Sequence, residues 1–243
     1  MDWLPGTANR RRIYLMRHGH VDYFSQAVRE KGEIRSVPLS PRGRSEAEAA
    51  GRALAHIAFD RAVCSGLPRA RETAEVVLSF QSKPPALADD AGLAEIQGGK
   101  LPAVQSRDDL IRRMNEFFAR AHEPGATNLD GGEVFADAQA RAVAAIERLL
   151  ASRGWHTALV VAHEGTNRLL LSWACDAGLR AMSSFEQDTA CVNIVDFDLG
   201  GIGGVRRALI KSVNVTPYNY LKHGMNQTSL EAIMQRDIGE VAV

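Results

Sequence analysis

Apolar positions along this chain recur with two different periods. Arg12 to Met16 and Thr157 to Ala162 (TALVVA) are short continuous apolar runs. A strand takes that form when a parallel sheet is covered on both faces. Arg61 to Cys64 reads as another short strand, broken by Ser65-Gly66. Elsewhere the spacing turns helical. Pro41 opens a pattern carried by Ala47, Ala50, Leu54 and Ile57, and a second pattern sets Ala70, Ala74, Val77 and Leu78 on one face. Further helices are predicted around Leu110 to Ala121, around Phe135 to Leu150, where Val143, Ile146 and Leu150 share a face, and over Leu169 to Ala174. Cys191 to Leu199 and Val205 to Val213, joined by a glycine-rich turn, predict a terminal hairpin. Gln81 to Lys100 is rich in Pro, Asp and Gly and reads as connecting structure. The stretch EPGATNLDGGE, residues 123–133, reads as a long turn-rich loop of the kind that carries function.

Strands alternating with helices predict an α/β fold, a three-layer α/β/α sandwich with a mostly parallel central sheet. Nothing in the pattern marks a linker, so residues 1–243 are expected to form a single domain, with a core over 12–213 and a tail over 214–243. The tail from Thr216 is a candidate cover for one side of a site.

Composition narrows the function classes. Hydrophobic residues make up 45% and charged residues 24%, and the formal net charge is +0. No global field therefore recruits nucleic acid or an anionic membrane, and any anion binding must come from local charge. The run Arg10-Arg11-Arg12 reads as a solvated strand opening, not a nucleic-acid patch. No apolar run approaches the roughly 20 residues of a membrane helix. The segment MDWLPGTANRRR lacks the apolar stretch of a secretory signal. Cys64, Cys175 and Cys191 stand far apart, without CxxC spacing, and suggest reduced thiols in a cytoplasmic protein.

Parallel sheets bind ligands at the carboxyl ends of their strands. The ends after Met16, Cys64 and Ala162 carry Arg17-His18-Gly19-His20, Ser65 to Arg71, and His163-Glu164-Gly165. Histidines and arginines without a neighbouring lysine suit a phosphoryl group. A guanidinium fork matches phosphate oxygens, and an imidazole can attack phosphorus. Gly19 is expected to let the backbone approach the ligand, and the helix starts after Ser65 and His163 add positive dipole ends. Blander readings exist for each residue. Arg17 and His18 could cap a strand, Arg69 could pair with Glu72 or Glu75, and His163 could be a core histidine. His20 is balanced between a substrate contact and a solvated loop residue. Arg168 is expected to form a salt bridge on its helix, and His56, His122, His156 and His223 to serve the surface or the packing. A rival enzyme reading makes His18, His20 and His163 metal ligands. Against it stand the fixed cation of Arg17 and too few βα units for the barrel that usually houses such a site.

LMRHG, PLSPRGRSEA, SGLPRARETA and VVAHEGTNRLLL follow one another in this order. Together they resemble the histidine phosphatase superfamily, also called phosphoglycerate-mutase-like, from Ile13 to about Ile210. The resemblance implies a metal-independent phosphomonoesterase without a cofactor, a phosphoric monoester hydrolase of histidine acid phosphatase type. Its substrate would be a small phosphorylated metabolite and its intermediate a phosphohistidine. His18 matches the nucleophile, Arg17 and Arg69 match the phosphate-binding arginines, and His163 matches the second histidine, which steadies the phosphoryl group. Glu95, in LAEIQGG, matches the general acid, with Asp89, Asp90 and Glu133 (in DGGE) as rivals. His20, Glu133 and Glu164 are candidate substrate contacts. The chain also departs from the pattern. His20-Val21 replaces the usual Gln or Glu followed by Thr or Ser, and Glu164 stands where the family usually has glycine. Asp22-Tyr23-Phe24 stands where cofactor-dependent mutases carry a tryptophan-asparagine pair, which favours a phosphatase over a mutase. Mutase-type phosphotransfer and a non-catalytic phospholigand-binding module are the alternatives, and the chain is open to forming a homodimer.

Overall fold

Ile13 and Leu15 point into one apolar cluster, while Tyr14 and Met16 point into another on the opposite face. That two-sided burial is why strand β1 (Arg10–Arg17) reads as a continuous apolar run. A computed structural model describes residues 9–23, 25, 34–100, 106–200 and 204–236. The leader reading of residues 1–8, much of the loop after Tyr23, the glycine-rich turn at 201–203 and the tail beyond Arg236 lie outside the described residues.

Among the described residues the sheet has six strands: β1, β2 (Arg61–Cys64), β3 (Leu87–Asp89), β4 (Thr157–Ala162), β5 (Val192–Leu199) and β6 (Val205–Val215). Their order is β3-β2-β4-β1-β5-β6. The first four positions pair in parallel, and the β5–β6 hairpin adds to β1 antiparallel. Helices α1 (Pro41–Leu54) and α2 (Pro68–Leu78) cover one face through Ala50, Leu54, Ala70, Ala74, Val77 and Leu78. Helices α4 (Phe135–Ala151) and α5 (Glu164–Ala174) cover the other through Ala142, Ala145, Ile146, Leu150, Leu170 and Leu171. The three-layer α/β/α sandwich expected from the sequence is the fold. Helix α3 (Arg107–Ala119) and the short α6 (Ser229–Arg236) are the remaining α-helices among the described residues. Among the described residues no helix is long and apolar enough to cross a membrane.

Several expectations need correction. β3 lies inside the segment read as connecting structure. With three residues and an edge position it has no periodicity to detect, and it forms by backbone pairing to β2. α1 ends at Leu54, so Ile57 packs on the core from beyond the helix. α5 begins at Glu164, not Leu169, because its first turn is polar yet buried. The arginine run is not merely a solvated strand opening. The register sets Arg10 opposite Asp198 and Arg12 opposite Asp196. Both ion pairs close at 2.7 Å, and Arg11 lies over the Trp155 ring, 5.2 Å from its centroid.

The described part of the tail does pack beside the strand ends. Tyr218 donates to Thr189 O at 2.9 Å, and Lys222 meets Asp188 at 2.7 Å. α6 opens with a capping box, in which the Glu231 N–H donates to Thr228 Oγ1 at 3.2 Å and the Thr228 N–H to Glu231 Oε2 at 2.8 Å.

Gly19 also has a reason within the fold itself. A side chain there would collide with the Gly43 carbonyl, and one at Gly43 would collide with the His20 backbone. The two glycines let the chain after β1 lie directly against the first turn of α1, which Ser40 caps by accepting from the Gly43 N–H at 3.1 Å. Gly43→Ala is therefore expected to destabilise the protein by roughly 1–3 kcal/mol, the usual cost of overpacking. A urea midpoint equal to the parent's would show that this contact yields freely.

Candidate active site

The parallel register of β1 and β4 sets Arg17 level with Ala162. The next residue on each strand, His18 and His163, therefore emerges side by side, with ring centroids 5.1 Å apart. β2 joins the same edge of the sheet, since Cys64 lies level with Val161. Ser65 then places its hydroxyl 2.7 Å from His163 Nε2. α2 begins three residues later, with Pro68 at its first position, and its first turn delivers Arg69. Arg17, His18, Arg69 and His163 are thus brought together, and all four are nearly inaccessible to solvent.

Hydrogen bonds assign the state of each ring. His18 Nδ1 lies 2.7 Å from Gly19 O, so it must carry the proton and donate. Nε2 then holds a lone pair, which accepts from Arg69 Nε at 3.2 Å. At His163 it is Nε2 that meets an oxygen. Ser65 Oγ already accepts from the Leu67 N–H at 3.3 Å, so its own hydrogen is available to Nε2. When Ser65 donates it, both rings carry their proton on Nδ1, which at His163 is a buried atom with no partner among the described residues. One imidazole offers a lone pair and the other an N–H. Burial, followed by the Arg69 charge, holds both rings well below the ordinary imidazole range.

The two arginines differ in compensation. Arg69 is 4% exposed. It donates to His18 and, through Nη1, to Arg35 O at 3.2 Å, and lies 5.8 Å from the Tyr23 ring centroid. Among the described residues no carboxylate pairs with it. Burying an unpaired cation costs on the order of several kcal/mol, which one bound anion would offset. Arg17 instead meets Glu164 at 3.1 Å. Burial works against the Arg17 cation, but Glu164, together with Tyr23, Cys191 and Glu95, outweighs it, and the guanidinium pKa is raised.

The carboxylates separate clearly. Glu133 is held by Arg141 at 2.6 and 2.8 Å and accepts from the Gln97 N–H at 3.0 Å. The Arg141 hydrogen bonds, set against burial, hold its carboxyl below the usual range. Asp89 binds Arg71 and Asp90 binds Arg148, both away from the histidines. Glu164 reaches Arg17 through one oxygen and Arg168 through the other, the latter at 2.9 Å, the helix salt bridge expected of Arg168. Glu95 has no arginine partner among the described residues. Its oxygens accept from the backbone N–H groups of Ile96, Gly165 and Thr166 at 3.0, 3.2 and 3.1 Å. It thereby caps the start of α5, the helix that follows His163.

His20 Nδ1 is 2.8 Å from Ser40 Oγ, and the His20 backbone N–H donates to Glu46 at 2.9 Å. No three His, Cys, Asp or Glu side chains converge as metal ligands among the described residues. Cys64 and Cys191 are fully buried, and burial pushes both thiols up to about 12.

Sequence reasoning missed Ser65, Tyr23 and Ser229. Ser65 could have been found from the strand-end argument, since it directly follows β2. Tyr23 packs with Val21, Val37 and Leu39. Its phenol is kept protonated mainly by burial, against the charges of Arg69 and Arg17. Ser229 accepts from Arg17 across 212 positions, a contact that no local pattern announces.

The model of the histidine phosphatase superfamily (branch 1) matches residues 13–209. The 2-carboxy-D-arabinitol-1-phosphatase of Triticum aestivum is 27% identical over 88% of this chain and 42% of its own length. The chain thus spans less than half of that plant relative. The adenosylcobalamin/alpha-ribazole phosphatase of Escherichia coli K12 is 27% identical over 77% of this chain and 90% of its own length. The crystal structure of the alpha-ribazole phosphatase from Shigella flexneri superposes with a TM-score of 0.61 at 26% identity, covering 84% of this chain and 96% of that one.

The two buried neutral histidines make stability depend on pH with a definite sign. In the unfolded chain they titrate near ~6.5, whereas the folded protein keeps them neutral well below that. Their contribution is complete above ~6.5 and is lost as the pH falls below it, because the unfolded chain then binds more protons. The urea midpoint should drop between about pH 7.5 and about pH 5.5, and saturating inorganic phosphate should blunt the drop. A midpoint that rises as the pH falls over this range would contradict the neutral assignment.

Proposed function

The chain belongs to the histidine phosphatase superfamily, and from that membership we propose that it is a metal-independent phosphomonoesterase working through a phosphohistidine on His18. The observation that carries the reading is a buried cation without a countercharge among the described residues, Arg69, donating to an imidazole lone pair. A substrate phosphate supplies the missing negative charge. Its oxygens take over the Arg69 donors, which releases the His18 Nε2 lone pair toward phosphorus. Nε2 attacks in line with the leaving oxygen, and the phosphorus–oxygen bond opposite it breaks. Arg17, Arg69 and the His163 N–H stabilise the three remaining oxygens in the transition state. Water then cleaves the phosphohistidine, releasing inorganic phosphate and restoring the free ring.

Glu95 is our choice of general acid for the leaving oxygen and of base for the water. Among the described residues it is the one candidate carboxyl without an arginine partner, whereas Asp89, Asp90, Glu133 and Glu164 are all so engaged. It acts electrostatically on both Arg17 and Tyr23. To donate, it must release one of the N–H groups it now accepts. Hydrolysis is favoured over mutase-type transfer because Asp22-Tyr23-Phe24 stands where the mutases carry a tryptophan-asparagine pair. The relatives named above are phosphatases of different phosphorylated molecules. The loops over His20 to Val37, Gln81 to Gln105 and Glu123 to Glu133 are accordingly our candidates for choosing a small phosphorylated metabolite. A cytoplasmic setting fits the free thiols of Cys64, Cys175 and Cys191.

The purified protein should hydrolyse nitrophenyl phosphate, and His18→Ala should abolish this while keeping the parent's unfolding midpoint. Activity within a few fold of the parent would remove His18 from the reaction. Glu95→Gln separates acid from cap. A positioned acid contributes on the order of 10²–10⁴-fold where the leaving oxygen needs a proton. The variant should therefore lose much more activity on alkyl phosphates than on nitrophenyl phosphate, whose leaving group is stable as an anion. Equal losses on the two substrates would assign Glu95 to holding α5 instead.

A further inference from the structure

A guanidinium has five N–H donors, and the protein itself engages one edge of Arg17. Nη1 donates to Gln187 O at 2.5 Å and to the Ser229 hydroxyl oxygen. Nη2 meets Glu164 Oε2 at 3.1 Å. Nε is buried and has no partner among the described residues. The remaining edge, Nε with the adjacent hydrogen of Nη2, is the side-on fork that fits two oxygens of one phosphate.

The acceptors on the engaged edge are tied to one another. Glu164 Oε1 accepts from Arg168 Nη2 at 2.9 Å, and the same nitrogen reaches Glu186 Oε2 at 3.1 Å. Glu186 Oε1 accepts the Ser229 N–H at 3.0 Å. Ser229 closes the circuit by accepting from Arg17. The result is a closed ring, Arg17–Glu164–Arg168–Glu186–Ser229, in which two cations alternate with two anions. Glu164 and Arg168 are 5% and 4% exposed, so water screens the inner bonds little. The charge of Arg17 is balanced within this ring, unlike that of Arg69. What the ring adds at Arg17 is orientation.

We propose that Glu164, Arg168, Glu186 and Ser229 are positioning residues that hold the Arg17 guanidinium with its Nε edge turned toward the phosphate, which makes the C-terminal helix α6 part of the catalytic pocket. This rests on the reading of Arg17 as a phosphate ligand. It also gives Glu164 a role. A carboxylate beside a phosphate site is tolerated because both of its oxygens are engaged by arginines, and it fixes the direction of the clamp.

Glu186→Gln keeps the volume of a side chain that is 32% exposed, so the fold should tolerate it. Rates on nitrophenyl phosphate would be measured for the parent, Glu186→Gln, Arg17→Lys and the double variant, each with its urea midpoint. Glu186→Gln should lower kcat roughly tenfold, with KM little changed, as expected when a ligand of the transition state is misaimed. In the Arg17→Lys background, which has no fork to aim, the same change should alter kcat by less than about twofold. Ser229→Ala should repeat this pattern, and it carries the test alone if Glu186→Gln does not fold. If Glu186→Gln and Ser229→Ala leave kcat at the parent value while Arg17→Lys lowers it, the clamp stands and the positioning proposal falls. Equal fractional losses in both backgrounds would mark a structural effect and overturn it too. If Arg17→Lys itself keeps the parent kcat, the clamp reading fails and takes the proposal with it.

Discussion

Parallel pairing of β1 with β4 is the constraint on which the site depends. With Arg17 level with Ala162, the two histidines that follow must leave the sheet together. Neighbouring strands lie about 4.8 Å apart, and the imidazole centroids, at 5.1 Å, reproduce that spacing. A slip of one residue in this register would send the side chains of one strand to the opposite face and separate the rings. The hydrophobic pattern prevents such a slip. Ile13 and Leu15 on β1 and Ala158, Val160 and Ala162 on β4 fill one cluster, while Tyr14, Met16, Leu159 and Val161 fill the other. The apolar core thereby sets the geometry of the polar site at its edge.

Charge then divides the labour at that edge of the sheet. Arg69 is buried with no carboxylate partner among the described residues, and in the proposed reaction it supplies the attraction for an anion. Arg17 is buried with its charge balanced by Glu164, and its proposed part is direction. Glu95 holds the start of α5 from outside, while Arg141, bound to Glu133, donates to Gly92 O and Ala94 O at 2.8 Å and fixes the loop that carries Glu95. Each carboxylate near the histidines thus has structural work, which is why distance from His18 alone would be a poor guide to catalytic roles.

The two-faced strands were legible in the sequence, because a continuous apolar run of four to six residues is too short for a helix and fits a strand buried on both sides. Arg17, His18, Arg69 and His163 were legible for the same reason, as residues standing where those runs stop or where the next helix starts. β3 was not legible, being three residues held by backbone pairing alone. Nor was the role of Gly19, which is set by a carbonyl at Gly43, 24 positions along the chain. Glu164 looked like an anomaly in a motif. Its role depends on Glu186 and Ser229, which no local spacing links to it. Contacts between segments distant in sequence carry no periodic signature, so the ring around Arg17 appears only in three dimensions.

The central claim is that His18 Nε2 carries the phosphoryl group during turnover. Its most direct test is to quench the protein in base while it turns over an aryl phosphate, digest it and weigh the peptides. The account predicts one added phosphoryl group on the peptide containing His18, retained in base, released by acid and absent from His18→Ala. A phosphoryl group on any other residue, or turnover with none trapped on His18 under conditions where dephosphorylation limits the rate, would contradict it.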